Sequence, residues 1–93
     1  MRQRHHFHTD HAGHSVTATV ETGGRTVLVE VLVDGKETGS VTAHGDHPIV
    51  VHVELPTDPP ESATVRVKPG PDVPSCLLEA PDAEPRMMSP RTY

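Results

Sequence analysis

The run SVTATVET (residues 15–22), followed by Gly23-Gly24, Arg25 and TVLVEVLV (residues 26–33), decides the fold. In the first run Val16, Ala18 and Val20 alternate strictly with Thr17, Thr19 and Glu21. A period of two sorts side chains onto the two faces of a strand and does not match the 3.6-residue period of a helix. The second run is apolar on nearly both faces, because Leu28 and Leu32 stand opposite the row Val27, Val29, Val31 and Val33, so it reads as a central strand. The two glycines suit the positive backbone angles of a two-residue hairpin turn. With Gly23-Gly24 as the loop, Val20 pairs with Val27, Ala18 with Val29 and Val16 with Val31; turn chemistry and hydrophobic pattern then agree.

Downstream, Asp34-Gly35 marks the next reversal. A simple two-residue loop sets Val31 against Thr38 and Val29 against Ser40, which wastes the pattern. A three-residue loop over Val33, Asp34 and Gly35, with Gly35 in the bulge position, pairs Val29 with Gly39 and Val27 with Val41 instead. Further strands are expected over residues 36–43, over 49–55 after Pro48, over 63–68, and as a short sixth over 75–80. Ile49, Val51, Val53, Leu55, Val65 and Val67 face inward; Val50, His52 and Glu54 face out. Upstream, residues 1–14 form a histidine-rich arm without periodicity, expected to be mobile, and residues 81–93 form a polar, proline-broken tail. The single β domain spans residues 15–80. Five or six short-looped strands predict an all-β antiparallel meander, folded into a sandwich or partly open barrel, with an immunoglobulin-like sandwich as the alternative. Leu28, Leu32 and Val50, on the second face, need cover from Leu77-Leu78, from Met87-Met88 or from a second copy of the chain.

Composition agrees with this reading. At 93 residues, with 33% hydrophobic residues and only Phe7 and Tyr93 as aromatics, the core is thin and aliphatic. Thirteen valines favour pleated structure over helix. The net charge of −5, with Lys36 and Lys68 the only lysines, argues against nucleic acid as a partner, since phosphate contacts require a clustered basic surface. No stretch approaches the roughly 20 apolar residues of a membrane span, and the polar amino terminus lacks a leader's apolar run, so a cytoplasmic location is expected. Cys76, the only cysteine, cannot form an intrachain disulfide; beside Leu77 and Leu78 it reads as a buried structural thiol.

Two histidine groups could carry chemistry. The segment HHFHTDHAGH places His5, His6, His8, His11 and His14, with Asp10, inside ten residues. Neutral imidazoles ligate zinc, nickel and copper(II), and such density supplies three or four donors. The second group is His44, Asp46 and His47 in one loop, with His52 and Glu54 on the strand that follows. Metal held this way is lost as pH falls below about 6.5, where imidazoles protonate. No serine sits in a nucleophile elbow, no carboxylates are paired and no glycine-rich phosphate cradle occurs, so an enzyme is not expected. The expected function is a non-enzymatic protein-interaction module that binds another protein or a second copy of itself. The alternative is divalent metal binding or pH-responsive binding through the amino-terminal histidines.

Overall fold

The computed structural model describes residues 3–44, 47–68, 73–81 and 83–91. The strands are β1 (Gln3–His11), β2 (His14–Gly23), β3 (Thr26–Val33), β4 (Lys36–His44), β5 (Ile49–Leu55), β6 (Glu61–Lys68), β7 (Ser75–Glu79), β8 (Arg86–Met87) and β9 (Ser89–Arg91). They form two antiparallel sheets, ordered β4-β3-β2-β1-β9 and β5-β6-β7-β8. The chain passes between sheets at β4–β5 on one side and at β8–β9 on the other. The result is a small meander sandwich, without closure into a barrel. Within β1–β4 and within β5–β8, strands adjacent in sequence are adjacent in the sheet, unlike the crossing order of immunoglobulin-like folds. No helix is long and apolar enough to cross a membrane.

The alternating residues meet between the sheets. Val16, Ala18, Val20, Val29 and Val31 from one sheet and Leu55, Val65 and Val67 from the other are completely buried. The inward sets expected for residues 49–55 and 63–68 are buried as read, and Cys76 is 1% exposed. Ala63 and Leu78 complete that side of the core.

The first hairpin differs from expectation in its turn. Gly23 pairs with Thr26, so Gly24-Arg25 is the loop, and Val20 faces Val29, Ala18 faces Val31 and Val16 faces Val33. Gly24 has φ 68° and Arg25 a negative φ, the arrangement of a type II′ turn with glycine first. Moving the turn by one residue shifts the pairing by two, so every side chain keeps its face. The shifted register gives Val33 an apolar partner in Val16 and leaves Val27 opposite Thr22, so three apolar pairs cross the hairpin in either register.

The second hairpin is corrected in its bulge. Asp34 and Gly35 have φ 52° and 84° and form a tight two-residue turn with Val33 opposite Lys36. The extra residue is Thr38, which has no partner opposite: Leu32 faces Glu37, and Val31 faces Gly39. Beyond it Val29 meets Val41 and Val27 meets Ala43, a better use of the pattern than the bulge expected at Gly35. Gly39 then faces β5. A Cβ built there lies 3.0 Å from Val51 Cγ1 and 3.3 Å from the His52 carbonyl oxygen, so glycine lets the edge of one sheet approach the other.

Both termini depart from the sequence reading. Within the expected mobile arm, residues 3–11 are strand β1, paired along their whole length with β2 through the turn at Ala12-Gly13. Phe7, opposite Ala18, is 2% exposed, and this ring with the small residue facing it docks the strand. Within the expected tail, β8 pairs with β7 and β9 pairs with β1. Met88, between them, is 3% exposed and donates its N–H to the Cys76 carbonyl at 3.0 Å, while Arg86 Nη1 donates to the Asp10 carbonyl at 2.7 Å. The carboxy-terminal segment is thus a strap joining the two sheets.

Candidate functional site

Strand β1 distributes the amino-terminal histidines by alternation. His6 and His8 stand on the outer face with Asp10, while His5 and His11 belong to the inner side with Phe7. On the outer face, His6 Nδ1 lies 3.2 Å from Thr19 Oγ1. His8 donates from Nε2 to Asp10 Oδ1 at 3.1 Å; its Nδ1 accepts from Ser15 Oγ at 3.4 Å and lies 3.5 Å from Thr17 Oγ1. The order Ser15, His8, Asp10 has the donor sequence of a hydrolytic relay. Asp10, however, is 77% exposed, and the hydroxyls of Ser15 and Thr17 compete for one ring nitrogen. A carboxylate held in water contributes little to the basicity of the imidazole.

The other histidines form structural pairs. His11 reaches across the sandwich, its Nε2 3.3 Å from Glu61 Oε1 at the start of β6. His14 donates from Nδ1 to Asp34 Oδ2 at 2.6 Å, and the Ser15 backbone N–H donates to Asp34 Oδ1 at 3.0 Å. The Asp34 N–H in turn donates to the Ser15 carbonyl at 2.8 Å. The Ser15 amide first, and His14 second, hold the Asp34 carboxyl below its ordinary value. This latch ties the β3–β4 turn to the start of β2, and the left-handed φ of Asp34 aims its side chain back at β2.

His44 is exposed at the end of β4, His47 is exposed in the loop beyond it, and His52 projects from the outer face of the other sheet. Asp46 lies outside the described residues. His52 and Glu54, which share that face as expected, line a shallow cleft with Thr38, Ser62 and Thr64. The eight histidines are thereby spread over two outer faces, the inner edge of β1 and the loops. Among the described residues no group of three or more His, Cys, Asp or Glu is placed to hold a metal ion.

No family model, curated protein or solved structure matches this chain.

Two further features distinguish the surface. One is a row across the outer face of the four-stranded sheet, in which Val50 pairs with Arg66, Arg66 with Leu77, and Leu77 with Met87. Val50 is 39% and Met87 64% exposed. Met88 and Leu78 enter the core, so neither dipeptide covers this face entirely from within. Arg66 Nε donates to Glu79 Oε1 at 2.9 Å, which neutralises the charge in the row. Val50 was legible as an outward apolar residue; Met87 was not, because only β8 places it in line. The second feature is a cleft where β9 ends beside β1, lined by Arg4, His5, His6, Phe7, Val73, Pro90 and Arg91.

Proposed function

We propose that this chain is a non-enzymatic interaction module that docks a protein through the outer face of the β5–β8 sheet, in the first instance a second copy of itself. The observation that supports it is the row Val50, Arg66, Leu77 and Met87, which runs across all four strands and exposes apolar side chains at both ends. An apolar row rimmed by polar groups is the pattern of a contact surface. Around it stand His52, Glu54, Thr64, Lys68 and Glu79. A two-fold axis along the strands, between β6 and β7, sets Met87 of one copy on Val50 of the other. The same axis lays Leu77 on the aliphatic stem of Arg66, giving an isologous contact without two guanidinium groups face to face.

Light scattering from micromolar to millimolar protein tests the reading, with Val50→Lys and Met87→Glu as variants. Both positions are exposed, so both variants are expected to fold. The expected result is a concentration-dependent dimer that either variant abolishes with the circular dichroism spectrum unchanged. Monomer mass throughout, with methyl resonances of Val50 and Met87 that do not move with concentration, overturns self-docking. Dimers that survive both substitutions remove the row from the interface.

A further inference from the structure

We propose that the cleft at the open end of β1 binds a small organic oxyanion, a phosphate or carboxylate group carried on an apolar body. It measures about 660 Å³, and four of the seven lining side chains named above, Arg4, His5, His6 and Arg91, bear nitrogen donors. The other three, Phe7, Val73 and Pro90, are apolar. No carboxylate is among these seven, although the chain carries 13 acidic residues and a net charge of −5. Among the described residues, Arg4 is paired with Glu21, whose carboxylate lies 3.7 Å from its guanidinium, a separation too long for a strong hydrogen bond.

Strand geometry explains why these groups converge. Arg91 pairs with His6 at the last rung of the β9–β1 ladder, and Arg4 is two residues before His6 on the same face of β1. Both arginines therefore contribute to the cleft beside the last described rung of the β9–β1 ladder. Arginine matches the geometry of phosphate and carboxylate with paired, parallel donors, which a point charge cannot do. From the inner side comes His5, whose Nε2 is shut off from solvent with no hydrogen-bond partner among the described residues. A buried imidazole nitrogen without a partner is unfavourable, and an acceptor settling in the cleft relieves it once the ring turns to meet it. Phe7, itself buried, and Pro90, its partner across the strands, form the apolar floor against which a ring or short chain packs.

The cleft lies on β1 and β9, away from the Val50–Met87 row on the other sheet, so this site and the docking face stand or fall separately. The test is a titration of the full chain with phenyl phosphate and with benzoate, followed by nuclear magnetic resonance of the arginine Nε–H and histidine ring signals. The two probes separate phosphate from carboxylate preference. Saturable binding of at least one is expected, with shifts at Arg4, Arg91 and His5. Arg4→Gln and Arg91→Gln, both at exposed positions, should each weaken binding by about tenfold or more, the effect of losing one charge-assisted contact. Thermal melts confirm that the variants are folded. Absence of saturable binding by either probe overturns the proposal, and so does affinity unchanged in both variants.

Discussion

Replacing Phe7 by alanine tests whether β1 is part of the folded domain. The ring is 2% exposed and packs inside the sandwich, beside Ala18 on β2 and Pro90 on β9. Burying a phenylalanine removes about 150–200 Å² from water, worth about 4–5 kcal/mol at about 25 cal/mol per Å². Alanine keeps a fraction of that, and the short strand β9 can settle partly into the space, which places the loss near the lower end of the phenylalanine-to-alanine range, about 3 kcal/mol. A domain of this size has roughly 5–10 kcal/mol in total. The variant is therefore expected to melt about 12–20 °C below the parent chain and to unfold at much lower urea. The assay is thermal and urea denaturation followed by circular dichroism, with Ser40→Ala, on the exposed outer edge of β4, as control. A loss below about 1 kcal/mol, no larger than surface substitutions give, refutes the docking of β1 and restores a free histidine-rich arm.

Two further outcomes follow from the titrating groups. Asp34 is held below its ordinary carboxyl value of 3.8 by the Ser15 amide and by His14, so the stability it contributes is present above that pH and lost as the pH falls toward the folded value. In Asp34→Asn, which also tolerates the left-handed turn, the decline of stability below about pH 4 should be shallower, and added salt should narrow the difference because the group is exposed; identical acid limbs contradict the latch. Burial pushes the Cys76 thiol up to about 12, so thiolate is scarce at neutral pH and iodoacetamide should label the native chain only as fast as it opens. Prompt stoichiometric labelling in native buffer refutes that placement.

Much of the fold was legible wherever apolar residues alternate. Val16 to Val20, Val27 to Val33, Ile49 to Leu55 and Val65 to Val67 carry their own period, and a period of two fixes both strand identity and the buried face. Register was less secure. Moving the first turn from Gly23-Gly24 to Gly24-Arg25 leaves every side chain on its face and keeps three apolar pairs across the hairpin, so the pattern alone did not choose between the two; the observed turn needs a positive φ only at Gly24. The bulge at Thr38 was hidden for a related reason, since it is set by how far β4 must slip to align Val41 and Ala43.

By itself, the sequence determined an all-β antiparallel protein with a thin valine core and a buried Cys76, because those properties follow from local periodicity and composition. Only the tertiary structure decided that residues 3–11 form a strand. Their inner face, His5, Phe7, Thr9 and His11, holds one apolar side chain, and it becomes a core face only beside Ala18 and beneath the second sheet. The same holds for Arg4 beside Arg91 and for Val50 in line with Met87. Each pair lies far apart in sequence, and strand pairing, which no local pattern encodes, brings its members to one surface.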